Sequence, residues 1–226
     1  MPEDELAVLV DQNDIQVGYR SKRECHEGPG KMHRGIVGAL FNDDGKIVLQ
    51  RRGANVPRWP LYWDTSFAGH VHAGESYEDA FSRKAKHELN VHAQGVKVFS
   101  FVYSARLGSV YEKEYCVLMI GTMTGDVAPN REVVDKLRWQ TLERIVGELE
   151  IQSSDYTPWG AISLCGLLLC ARPTRGISMR SLYLNPTYAS IFGGCTGDRT
   201  IFGQIENRFA NLDLHTILEA DRHARP

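Results

Sequence analysis

The sequence contains no apolar run long enough to span a bilayer; its best, "AISLCGLLLC" from Ala161 to Cys170, predicts a short buried helix. It has no CxxC pair. Its five cysteines, Cys25, Cys116, Cys165, Cys170 and Cys195, are dispersed and read as reduced thiols in a cytoplasmic setting. Charge of either sign is not in excess: the net charge of −2 gives no reason to expect a nucleic-acid or membrane-surface partner through bulk electrostatics. The opening "MPEDELAVLV" is acidic and lacks both the basic start of a signal peptide and the arginines of a transit sequence. Internal repeats and low-complexity tracts are missing too.

What is present suits one sizeable globular domain, with or without an extension: 226 residues, 42% hydrophobic and 24% charged. Two short strands, "LAVLV" and "IQVGYR", flank the turn "DQND", and the polar "SKRECHEGPGKMH" follows as a loop marked by Gly28-Pro29-Gly30. "RGIVGALF" and "KIVLQRR" around "NDDG" predict a β-hairpin. A Pro- and Trp-rich loop, "PRWPLYWDTSFAGH", leads into a strand. Ser76 and Asp79 form a capping-box pattern for a helix whose Tyr77, Phe81 and Ala85 recur every four residues as a core-facing stripe. Strands over "VKVFSFVY", "EKEYCVLMIGTM" and "KLRWQ" and a helix over "LERIVGELE" complete a domain of residues 1–170. Residues 171–226 are rich in Gly, Pro and small polar residues and predict an irregular extension packed on or beside the domain, ending in a helix near "LDLHTILEADR". Its Phe, Tyr and Ile content argues against simple disorder, and it is a candidate surface for a homo-oligomer or a protein partner.

The run Gly69-x5-Glu75-x7-Arg83 resembles the opening of the Nudix box, a loop–helix–loop that holds divalent metal against a diphosphate. In that family the position after the Arg and those four and five after it are normally glutamates. They share one helix face, so their carboxylates can gather hard Mg2+ or Mn2+. Here Lys84, His87 and Glu88 occupy them, leaving a single acid.

The resemblance extends outside the box. From "SKRECHEGPGKMHRGIVGALF" through "IVLQRRG", "WPLYWDTSFAGHVHAGES" and "VYEKEYC" to "YTPWG", the chain is similar to type I isopentenyl diphosphate isomerases and to isomerase-like Nudix hydrolases. The resemblance implies a Nudix α/β/α sandwich with a mixed sheet. It also implies a first metal site of His26, His33, His70, Glu112 and Glu114, a nitrogen-rich set suited to Zn2+ or Mn2+. Glu88 would then hold a second, substrate-borne Mg2+; Glu114 matches the isomerases' catalytic glutamate, and in a hydrolase Glu88, Glu112 or Glu114 would stand in for the lost base. Gly69, Lys22, Arg51, Arg52 and Lys84 would bind the diphosphate, although Lys84 also reads simply as an exposed helix lysine.

Two departures bear on activity. The isomerases carry a cysteine directly before the Gly-His that matches Gly69-His70, and here it is Ala68, which can move no proton. Their cation-stabilising Trp is expected a few residues beyond "TPW", where Leu164 and its neighbours supply none. The expected function is therefore a metal-dependent Nudix hydrolase acting on a small-molecule diphosphate. The alternatives are a divergent isomerase lacking its cysteine and a catalytically silent homologue.

Overall fold

The computed structural model describes residues 4–123 and 126–171, so the extension beyond Ala171 and its expected terminal helix lie outside the described residues. Among the described residues, nine strands join one mixed sheet. They are β1 (Leu6–Val10), β2 (Gln16–Ser21), β3 (His33–Phe41), β4 (Ile47–Arg52), β5 (Trp63–Asp64), β6 (Phe67–His70), β7 (Val96–Leu107), β8 (Val110–Thr122) and β9 (Val134–Gln140). Four helices accompany them: α1 (Lys22–His26), α2 (Tyr77–Leu89), α3 (Leu142–Gln152) and α4 (Pro158–Ala171). None of these helices is long and apolar enough to cross a membrane. Cys25, Cys116 and Cys165 are buried.

Strand β3 is the centre because its sequence is apolar on both faces. It runs parallel to β8, from His33↔Glu114 to Phe41↔Thr122, and antiparallel to β6, from Gly35↔His70 to Gly38↔Phe67. Alternation then divides the core. Ile36 and Leu40 of β3, with Val117 and Met119 of β8, meet Phe81, Ala85 and Leu89 of α2. Val37, Ala39 and Phe41, with Cys116, Leu118 and Ile120, face Ile145 and Leu149 of α3 and Trp159 and Leu164 of α4. The result is the expected α/β/α sandwich with a mixed sheet.

The predicted hairpin over β3 and β4 forms, and it is short: the strands pair antiparallel at Phe41↔Ile47, with the Asn42 amide bonding the Lys46 carbonyl at 3.0 Å across the turn. Beyond that point β4 turns to β9 and β5. Both strands are apolar on two faces, so each is buried between other partners instead of along its sequence neighbour.

Helix α2 forms as its sequence predicts. Ser76 caps it, its hydroxyl accepting from the Asp79 amide at 3.0 Å while Asp79 Oδ2 accepts from the Ser76 amide at 3.2 Å. Asn90 ends it in the left-handed conformation, φ 57°, donating back to Ala85 and Lys86. Phe81 is fully buried edge-on to Phe67, and burying such a ring stabilises by roughly 1.5–3 kcal/mol.

Candidate active site

The segment read as a polar loop contains a short helix. Ser21 and Glu24 cap α1 reciprocally, with the Ser21 amide donating to Glu24 Oε2 at 3.0 Å. The S-x-x-E signature was present in the sequence and could have revealed it. This helix carries Lys22 and His26 inward, and Gly28 and Gly30, both at positive φ, turn the chain back into β3.

Five side chains converge where α1, β3, β6 and β8 meet. His26 Nε2 lies 3.0 Å from Glu112 Oε1, His33 Nε2 lies 3.5 Å from Glu114 Oε1, and His70 Nε2 lies 3.1 Å from the same oxygen. Glu112 and Glu114 share a face because they alternate along β8. The register supplies the rest: His33 pairs with Glu114, and Gly35 pairs with both His70 and Cys116. A Cβ at Gly35 would fall 2.4 Å from Glu114 Oε2, so only glycine leaves room for that carboxylate.

The donor set fits a divalent ion. One ligand atom each from His26, His33, His70 and Glu112 lies within 4.8 Å of the others, and all four residues are buried. His26 Nδ1 bonds the Lys22 carbonyl and His33 Nδ1 the Lys31 carbonyl at 2.7 Å. A carbonyl only accepts, so both Nδ1 atoms carry the proton and both Nε2 lone pairs face inward. His26 Nε2, His33 Nε2 and Glu112 Oε2 are buried without a hydrogen-bond partner. Buried orphans of this kind are costly unless something ligates them. Burial pushes the His70 pKa well down, whereas at His33 burial is outweighed by Glu114 and the pKa is raised.

A cavity of about 120 Å³ opens beside this cage. Lys22, Arg52, Arg58 and Lys84 bring four cations to its wall, with Glu88 among them. Lys22 is fully buried and bonds Glu5, Arg52 lies 3.3 Å from Asp64, and Arg58 lies 3.5 Å from Glu112. The exposed-lysine reading of Lys84 is corrected: it is buried and bonds Glu88. Gly69 makes this possible, since a Cβ there would sit 2.8 Å from the Lys84 side chain.

The expected diphosphate role of Arg51 is also corrected. Arg51 Nε bonds Asp135 at 2.5 Å and stays outside the cavity wall that Gln50 and Arg52 line, because neighbouring strand residues face opposite ways. The supposed loss of an aromatic face is corrected as well. Leu164 belongs to the core, but Trp159 itself lines the cavity, fixed by its Nε1–H to Asp64 Oδ2 at 2.8 Å. Sequence reasoning missed Tyr103, whose hydroxyl donates to Glu114 Oε2 at 2.6 Å inside the cavity. Only the β7–β8 register, Tyr103↔Glu114, reveals it. Gln50 was missed too, although a glutamine directly after the apolar run "IVL" was a visible signal.

The NUDIX domain profile matches residues 31–160, more than half of the chain. This chain belongs to the NUDIX family. It is 36% identical to an isopentenyl-diphosphate Delta-isomerase of Nocardia farcinica over 154 residues, 67% of this chain and 87% of that one. It is 31% identical to another of the same name from Paenarthrobacter aurescens, over 73% of this chain and 91% of its relative. Among solved structures, DR0079 from Deinococcus radiodurans superposes with a TM-score of 0.53 at 24% identity, covering 64% of this chain and 88% of that one; this shows the fold.

Helix α2 is thus the NUDIX helix, altered. Arg83 Nη2 bonds Glu75 at 2.8 Å and the His70 carbonyl at 3.0 Å, tying the box loop to the His/Glu cluster. Where the box would gather three acids, Glu88 is clasped by Lys84 and by Gln50 Nε2, the latter at 2.6 Å. His87 lines the cavity as a third group, and burial lowers its pKa.

Nearby, His72 Nδ1 lies 3.0 Å from Glu5, and burial first, then Arg83 and Lys22, lowers its pKa to about 4. A histidine depressed in the fold contributes stability above its unfolded pKa, about 6.5, and loses it as pH falls towards 4. The melting temperature of the metal-free protein should therefore drop across that window. His72→Asn should flatten part of the drop, measured by thermal melts at successive pH values. An unchanged pH profile would show that His72 titrates freely.

Proposed function

We propose that this NUDIX protein is a divalent-metal-dependent enzyme that binds a branched alkenyl diphosphate of isopentenyl size and moves a proton at its double bond. The observation that carries this reading is the sharing of one cavity by the cation cluster, the Tyr103–Glu114 pair and the Trp159 ring. Lys22, Arg52, Arg58 and Lys84 supply charge for a diphosphate, and Glu88 would hold its Mg2+. His26, His33, His70, Glu112 and Glu114 would hold Zn2+ or Mn2+. A metal bound by these residues supplies charge neutralisation and fixes the carboxylates. The Tyr103–Glu114 pair carries one proton at the wall. Burial, and then Glu114 and Glu112, push the Tyr103 pKa well up, so the proton rests on the hydroxyl. An aromatic face such as Trp159 stabilises the carbocation that follows protonation.

The hydrolase expectation receives less support, because one carboxylate bonded to a buried lysine replaces the usual cluster on α2. The relatives' names point to the alkene instead. Ala68 lines the cavity and offers no second proton-transfer group, so completed isomerisation should be very slow. Ala68→Cys should raise it by ~10²–10⁴-fold, the usual worth of a positioned acid–base group.

The test is incubation of the full chain with Mg2+ and Mn2+ in deuterated water, offering isopentenyl and nucleoside diphosphates separately. Metal-dependent deuterium uptake by isopentenyl diphosphate is expected. Phosphate release from either class would restore the hydrolase reading. Tight binding without exchange or release would mark a silent homologue.

A further inference from the structure

Strand β4 ends at Arg52 and β5 begins at Trp63, with residues 53–62 connecting them. This loop supplies Val56, Pro57 and Arg58 to the cavity wall. It also contains two bulky residues in the left-handed region, Trp59 at φ 42° and Leu61 at φ 65°. Side chains with a Cβ adopt that conformation at a cost and keep it only where surrounding contacts enforce it.

One residue supplies contacts on both sides of the strained stretch. Nε and Nη2 of Arg52 donate to the Arg58 carbonyl at 3.1 and 3.0 Å, just before Trp59. The Arg52 amide donates to the Tyr62 carbonyl at 2.9 Å, and the Arg52 carbonyl accepts from the Leu61 amide at 3.2 Å. The same guanidinium reaches the aromatic wall. Its Nη1 lies 3.3 Å from Oδ2 of the fully buried Asp64, the oxygen that accepts the Trp159 indole N–H. Its Cζ sits 5.4 Å from the Trp159 ring centre. Trp159 meets Trp59 edge-on at 5.1 Å, which closes the circuit back to the loop. Only a guanidinium presents a planar fork of donors that can serve a carbonyl, a carboxylate and a ring face together.

Deepening the alkenyl-diphosphate reading, on which its functional side rests, we propose that Arg52 is a positioning residue: it latches residues 53–62 against the cavity and couples Arg58 to Trp159. The cation offered to the diphosphate and the ring face offered to the alkene are thereby held as one unit. This role is separate from any contact that Arg52 itself makes with the anion.

The test compares the full-length wild type with Arg52→Lys, which keeps the positive charge and loses the fork. Without ligand, trypsin should cut after Arg58 about tenfold faster in the variant, the scale of losing a hydrogen bond or two. In a nitrogen-15 spectrum the Trp159 indole signal should move, and its proton should exchange faster with solvent. Calorimetry should show inorganic diphosphate with Mg2+ bound about tenfold more weakly. Asp64→Asn keeps an acceptor for the indole and removes the charge beside Arg52 Nη1. It should shift cleavage the same way by less, and it carries the test if Arg52→Lys does not melt cooperatively. Weaker diphosphate binding with unchanged cleavage and indole signal overturns the proposal, because Arg52 then acts only by touching the anion. A variant that matches wild type in all three measurements overturns it too. Wild type that binds no diphosphate overturns the alkenyl-diphosphate reading instead; cleavage and indole signals, read without ligand, still decide the latch.

Discussion

Glu88→Gln should abolish Mg2+-dependent binding of inorganic diphosphate, weakening it by well over the ~10–100-fold typical of losing even a supporting contact at a metal site. Glu88 is the only carboxylate left among the three box positions on α2, so no neighbour on that face can replace it. The glutamine keeps the shape and the link to Gln50 while removing the charge. It also strands the buried Lys84 ammonium. Breaking a buried pair costs about 3–5 kcal/mol, and the adjacent cavity, which admits solvent, should bring the loss to the lower end. Lys84→Met separates the two effects: it should weaken diphosphate binding with or without Mg2+, because a cation is lost and the carboxylate remains. Calorimetry of both variants with inorganic diphosphate provides the measurement. A Glu88→Gln protein that binds as tightly as wild type in Mg2+ would reduce the helix to a relic of the NUDIX box.

The second large effect concerns the cage. Wild-type protein should take up one Mn2+ or Zn2+ per chain at the His/Glu cage. At a hundredfold excess over its dissociation constant, the ion should stabilise the fold by about 2.7 kcal/mol. His33→Ala should lose both uptake and stabilisation. His33 is fully buried, with Nδ1 fixed by the Lys31 carbonyl, so its Nε2 cannot be replaced by a neighbour turning inward. In a zinc-loaded crystal the nitrogen–metal distances should be ~2.0–2.2 Å. Metal titration followed by thermal melting checks the claim. A wild-type melting point unmoved by either ion would mean that the buried orphans at His26, His33 and Glu112 have another explanation.

Legibility in the sequence followed the range of each interaction. The start of α2 was readable because its cap is local: Ser76 and Asp79 are three residues apart and bond each other. The cap of α1 was equally local, and it was passed over only because "GPG" nearby suggested a loop. The β3–β4 hairpin was readable as a turn, but its short pairing was not, because "NDDG" specifies a turn and not how far the strands stay paired. The cage residues were identified through family spacing, yet His26, His70 and Glu112 lie far apart along the chain. Their meeting depends on β3 lying between β6 and β8.

The sequence by itself determined which elements form and which face of each is apolar. Those properties depend on residue spacing of 3.6 or 2 and on caps within a turn. It also determined the chemical inventory: three histidines and two glutamates for a metal, one surviving box acid, and Ala68 where a proton-bearing side chain would stand. Only the tertiary structure decided which members of that inventory share a cavity. It sent Arg51 to Asp135 and Arg52 to the cavity wall, brought Tyr103 to Glu114 across two strands, and kept Trp159 as the aromatic face. The physical reason is that strand pairing and register are long-range choices. A shift of one residue would reverse the facing of every side chain, and no local sequence signal records which register the packed core selects.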